Sequence, residues 1–169
     1  MRTLIILCRR YLEDSGIVFT FVRLKEVKPI AEITTMAKNN KEKYKIENEE
    51  YLEDKALEEG VVNLTQGILY EVINSGEGKQ AQPRSIVSVF YRGELINGKV
   101  FDDNTKQGYP DAFRLNELIT GWQIAIPKMK EGDKWRIYIP SELGYGKRGT
   151  HGIPGDSTLI FEIELVKVC

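Results

Sequence analysis

Between residues 68 and 165, apolar side chains fall two residues apart in short runs, and turn-forming residues separate the runs. Leu159, Phe161, Ile163 and Leu165 alternate with residues that include Glu162 and Glu164. Trp135, Ile137 and Ile139 alternate with Arg136 and Tyr138 until Pro140, which lacks a backbone donor and stops the strand. Val87, Val89 and Tyr91 alternate against Ser88 and Phe90, and the run Ile68–Ile73 leads into a glycine-rich turn through Gly76 and Gly78. Side chains two apart share one face of a strand, so this period predicts strands with one face turned inward. Asn97-Gly98, between Gly93–Ile96 and Lys99–Phe101, is the strongest hairpin cue in the chain. One stretch breaks the period: Thr120-Gly-Trp122-Gln-Ile-Ala-Ile126 reads as a short helix that Pro127 ends. The pattern predicts an α+β fold, a curved antiparallel β-sheet wrapped around one short α-helix and preceded by an N-terminal helix.

The 169 residues divide into three pieces of different texture. Residues 1–36 carry six basic and four acidic side chains, residues 37–60 five and eight, and residues 61–169 thirteen of each. The first piece reads as an N-terminal leader. Its apolar run Thr3–Cys8 is too short for a secretory signal core and has large Leu7 where a small residue belongs. Residues 16–22 could pair as a strand, and the change of composition at Met36 raises it as the natural start. The second piece, 37–62, is charged, free of proline, and ends near Gly60, a natural helix C-cap. Its sparse apolar positions are Tyr44, Ile46, Tyr51, Leu52, Ala56 and Leu57, with Lys43–Glu47 and Lys45–Glu49 as i,i+4 pairs. Two readings stand: a solvated helix leaning on the body, or a helix that joins two copies or holds a client. The third piece, 63–169, is the main domain.

Several kinds of chemistry find no support. The near-neutral balance does not suit a nucleic-acid binder, and no apolar run has the ~20 residues a membrane span needs. Cys8 and Cys169 stand near opposite ends and His151 is the single histidine, so no zinc set of Cys and His is completed and no cofactor is implied. Nucleophile-elbow, phosphate-loop and dinucleotide signatures are missing. What remains is aromatic: Tyr91, Phe101, Trp122, Tyr145 and Phe161, each at the edge of a strand, turn or helix. Such a set can be an ordinary core. Asp102 beside Phe101, and Gly144-Tyr145-Gly146 in a loop, favour an apolar pocket with a few polar handles.

Tyr91-Arg-Gly93, Gly98-Lys-Val-Phe101-Asp102, Ile119-Thr-Gly-Trp122, Ile139-Pro-Ser-Glu-Leu-Gly-Tyr145-Gly146 and Thr158-Leu-Ile-Phe161-Glu-Ile-Glu-Leu165 resemble the FKBP-type peptidyl-prolyl cis-trans isomerase domain. The resemblance runs in order over about residues 66–168, and the charged helix before it resembles the bacterial macrophage infectivity potentiator group, with a shorter helical part. It implies an FKBP-like fold and a pocket for proline-containing polypeptides. Trp122 would floor that pocket, and Tyr91, Phe101, Leu118, Ile119 and Phe161 would wall it, with Ile153 on the loop side. It also implies that the Ile119 N–H and the Tyr145 hydroxyl hold substrate carbonyls, with Asp102 near the rotating one. A homodimer through 37–62 is a further implication. The alternative function is a non-enzymatic chaperone or adaptor of the same fold. Gln107 stands where well-studied eukaryotic members have an Arg, Asp111 replaces a wall aromatic, and Thr150 replaces a loop His. The loop to Phe161 is one residue shorter. These departures predict weak binding of the macrolides tacrolimus and rapamycin. The expected compartment is the cytoplasm, with periplasmic or outer-membrane association as the alternative.

Overall fold

The computed structural model describes residues 40–169, so the readings on the leader, on strand 16–22 and on Met36 lie outside the described residues. Helix α1 spans Asn40–Lys55. Seven strands follow: β1 (Val62–Thr65), β2 (Ile68–Asn74), β3 (Ile86–Leu95), β4 (Val100–Asp103), β5 (Asp111–Arg114), β6 (Lys134–Ile139) and β7 (Leu159–Val168). A short helix α2 (Thr120–Ala125) lies between β5 and β6. All pairings are antiparallel, in the order β1-β2-β6-β7-β3-β4, and β5 shares the β4 edge of β3. The α+β expectation is met.

The two-residue period decides which face is core. Val87, Val89, Tyr91 and Leu95 of β3 point to the same side as Ile137 and Ile139 of β6 and Leu159, Phe161, Ile163 and Leu165 of β7. Trp122, Ala125 and Ile126 close that side. Fully burying one such aliphatic or aromatic side chain is worth about 1.5–3 kcal/mol, so this face dominates stability. As expected, α2 stops at Ala125, before Pro127, and the proline sits at the start of a 3-10 turn, Ile126–Lys128, that follows it directly.

The other face is closed in part by α1. Leu69, Tyr138 and Ile160 form a second buried cluster, against which Tyr51 and Leu52 of the helix pack. This explains why Tyr138, an outward position by its period, is only 1% exposed. Lys55 lies 5.5 Å from the centre of the Tyr138 ring. The helix is therefore one that leans on the body, and it stops at Lys55, short of Gly60. Leu57 and Glu58 donate to the carbonyls of Asp54 and Lys55, tightening the chain out of the α-helix, and Gly60 turns it at φ 87°. Leu57, part of the expected apolar stripe, is 78% exposed.

Both hairpins are tight, but not in the way the dipeptides suggest. The β3–β4 connection is a three-residue loop in which Gly98 donates to Leu95 and Leu95 donates to Lys99, with only Gly98 left-handed. The two-residue turn with both residues left-handed is instead Gln66-Gly67, joining β1 to β2.

Candidate functional site

At the C-terminal half of β3, three strands and α2 bring rings together. Tyr91 on β3 stands edge-on to Trp122 at 5.3 Å between ring centres and 85°. Trp122 stands edge-on to Phe161 of β7 at 5.1 Å, and Phe161 to Phe101 of β4 at 5.5 Å. These perpendicular contacts match the positive ring edge to the negative ring face and add about 0.5–1.5 kcal/mol per pair beyond burial. Gly93 permits the arrangement. A Cβ there would come within 2.6 Å of the Phe101 ring and 2.8 Å of Phe161. Trp122 is held at the first turn of α2, its backbone N–H donating to the Ile119 carbonyl. Its buried indole nitrogen has no hydrogen-bond partner, and aromatic rings surround it.

The polar handles lie at one edge of this dish. The Tyr91 hydroxyl donates to Asp102 Oδ2 at 2.8 Å. Burial first, and then that bond and the Asp102 charge, push the Tyr91 phenol far above its ordinary value. Tyr145, half-exposed on the loop after β6, is also raised, by burial and then by the charge of Asp102. Asp102 thus bonds Tyr91 and lies near enough to Tyr145 for its charge to be felt. At the other side, Leu118 and Ile119 pack on the core cluster that includes Trp122 and Phe161, and Ile153 is one of its buried members. Among the described residues nothing accepts the Ile119 N–H. All nine residues singled out in the sequence border one aromatic cluster or its polar edge.

The sequence reading missed two side chains. Phe113 on β5 stands edge-on to both Tyr91, at 5.9 Å, and Trp122, at 6.2 Å. Its strand has only four residues, so no long alternation marks it. Asn104, 4% exposed, is the strut of the site. Its Oδ1 accepts the Tyr91 N–H at 2.6 Å while its Nδ2 donates to the Val89 carbonyl and to Asp111 Oδ2. It thereby bridges the gap between β4 and β5 along the edge of β3. Gln107 donates to Asp111 Oδ1 and to the Tyr109 carbonyl, so it holds its own loop rather than Asp102. Among the described residues no group of His, Cys, Asp or Glu could hold a metal, and no helix is long and apolar enough to cross a membrane. The groove on the opposite sheet face is lined by Arg92, Glu94, Arg136, Ile160 and Glu162. Its charges pair with one another, Arg92 with Glu94 and Arg136 with Glu162, and it offers no aromatic wall.

Residues 77–166 match the family described as FKBP-type peptidyl-prolyl cis-trans isomerase. The chain belongs to that family. Among relatives, it is 40% identical over 142 residues to the FKBP-type peptidyl-prolyl cis-trans isomerase FkpA of Escherichia coli K12, covering 82% of this chain and 53% of that protein. It is 43% identical over 110 residues to the peptidyl-prolyl cis-trans isomerase Mip of Coxiella burnetii, covering 64% and 48%. The chain thus spans about half the length of these curated relatives. Among solved structures, the peptidyl-prolyl cis-trans isomerase of Pseudomonas syringae pv. tomato superposes with a TM-score of 0.72 at 35% identity, over 77% of this chain and 96% of that one. The matched FKBP segment contains every residue of the aromatic dish, whereas α1 lies before it.

Proposed function

We propose that this chain is a peptidyl-prolyl cis-trans isomerase that holds the proline ring of a polypeptide in the dish of Tyr91, Phe101, Trp122 and Phe161. The perpendicular ring array, with the Tyr91–Asp102 bond at its edge, supports this reading. Rotation about an X-Pro bond is slow because amide resonance must be broken, at about 18–20 kcal/mol. No bond is made or lost to the protein, so no nucleophile is needed. The planar amide is more charge-separated than the twisted one. A water-poor aromatic surface therefore disfavours the ground state relative to the transition state, which is differential binding. In this reading the Ile119 N–H and the Tyr145 hydroxyl fix the flanking carbonyls while Leu118 and Ile153 wall the ring, and Asp102, oriented by Tyr91, faces the rotating carbonyl.

The test is exchange spectroscopy on an X-Pro peptide. Catalysed cis–trans exchange at substoichiometric protein supports the isomerase, and binding without faster exchange supports the adaptor reading. Tyr145→Phe should weaken turnover about fivefold, the cost of one net hydrogen bond. Weak macrolide binding also belongs to this reading, since Asp111 brings a carboxylate, already engaged with Asn104 and Gln107, where a wall ring would stand. A homodimer through 37–62 would have to use the charged side of α1, with Lys43 and Glu47, because Tyr51 and Leu52 are spent on the sheet. A sedimentation mass of one chain would end the dimer proposal.

A further inference from the structure

Four polar side chains are buried where α1 meets the segment leading into β7: Asn48 (2% exposed), Asp156 (6%), Ser157 (3%) and Thr158 (2%). Burial of polar atoms is costly unless each is bonded, so their partners are specific. Asn48 Oδ1 accepts the Thr158 N–H at 2.7 Å, and the Asn48 carbonyl accepts the Thr158 hydroxyl at 3.1 Å. Asn48 Nδ2 donates back to the Tyr44 carbonyl at 2.8 Å, which fixes the amide on its helix. Tyr44 Oη lies 2.8 Å from Ser157 Oγ, whose one proton goes to the Pro154 carbonyl at 2.8 Å, so Tyr44 is the donor. One turn of helix therefore grips residues 154 to 158.

That grip reaches the proline site. The Asp156 N–H donates to the Gly146 carbonyl at 3.0 Å, directly after Tyr145. Gly149 donates to the Tyr145 carbonyl at 3.2 Å, and Thr150 and Ile153 exchange two backbone bonds. Gly149 is left-handed, with φ 66° and Ile153 O at 2.3 Å from where a Cβ would stand, so the fold-back leaves little slack. Tyr145 and Ile153, the two site groups carried on this loop, thus share a base that α1 holds. The tip has a weaker anchor, Lys99 Nζ to the Gly152 carbonyl at 3.2 Å, from an exposed side chain.

We propose that Asn48 is a positioning residue for the proline site. By fixing Thr158 it sets where the 145–158 loop places Tyr145 and Ile153, so α1 contributes to substrate binding without touching substrate. This rests on the isomerase reading above. The test compares Asn48→Ala with Leu52→Ala, which loosens the same helix through Leu69, Tyr138 and Ile160 and makes no bond to the loop. Melting temperature, backbone amide shifts of Tyr145 and Ile153, affinity for an Ala-Leu-Pro-Phe peptide and its exchange rate are read for both. Asn48→Ala should shift the loop amides and weaken peptide affinity about fivefold, with turnover at saturation within about twofold. Leu52→Ala should lower the melting temperature and leave loop shifts and affinity as in wild type. Unchanged affinity in Asn48→Ala, or affinities that fall in both variants in step with melting temperature, would overturn the proposal. A wild type that binds without speeding exchange ends the isomerase reading alone, and the affinity and shift comparison still decides Asn48. A wild type that does not bind the peptide overturns both.

Discussion

The Tyr91–Asp102 contact is where burial and charge meet in this site. Asp102 is solvent-exposed and has a hydroxyl as its bonded partner, while Gln107 turns to Asp111. Tyr91→Phe keeps the ring contacts and removes the bond, so catalytic efficiency should fall about three- to tenfold with little change in melting temperature. Trp122→Ala is a poorer probe. It removes the ring in contact with Tyr91, Phe113 and Phe161, at about 3–5 kcal/mol, a large part of the roughly 5–15 kcal/mol that holds a domain. A second outcome concerns pH. Both Tyr91 and Tyr145 are raised above the ordinary tyrosine value, so each hydroxyl ionises at a higher pH than a free phenol, at about 10. Any alkaline loss of rate on an uncharged peptide should therefore be centred above that value, and a loss centred at or below it would contradict the assignment. Rings and handles next to strong turn or strand signals were legible in the sequence. Asn104 and Asn48 were not, because a polar residue at an inward position looks like an interruption until its buried partners are known.

At the scale of elements, Gly93 decides whether β4 and β7 can bring Phe101 and Phe161 together over β3. Gly93→Ala should separate these rings and lower peptide affinity at least tenfold while the β3–β7 ladder persists, read by peptide titration and amide exchange protection. On the opposite face, Glu162 accepts from Lys134 at 2.7 Å and from Arg136 at 3.1 Å. The Lys134 bond first, with the Arg136 bond and both charges, holds its carboxyl below the usual range against the opposing effect of burial. A depressed folded value means stability that is present above the ordinary glutamate range and lost as pH falls through the folded value. Glu162→Gln should therefore lower the unfolding free energy read from urea titration at neutral pH by no more than about 1 kcal/mol, given its exposure, and the gap to wild type should close below about pH 4. The long strands were legible because ten alternating residues carry their own pattern, as in β7. The short β1 was not. Its turn uses Gln66 at φ 51°, a residue type that gives no hairpin signal.

For the whole molecule, the even balance of thirteen basic and thirteen acidic residues in 61–169 accompanies a site whose centre is aromatic. The acidic helix is continuous with that domain rather than detached from it. Tyr51 and Leu52 alone bury modest area, and the polar grip of Tyr44 and Asn48 supplies the direction of docking. This was only half legible: the helical period shows Tyr44, Tyr51 and Leu52, but the residue between them on the same face is an asparagine. The chemistry of the site is rotation of the X-Pro bond. Exchange spectroscopy on an Ala-Leu-Pro-Phe peptide, with the full chain at substoichiometric amount, measures it directly. Cis–trans exchange should be many-fold faster than the uncatalysed tens of seconds, and the acceleration largely lost in Tyr91→Phe/Tyr145→Phe. Exchange at the uncatalysed rate with the folded protein present would contradict this.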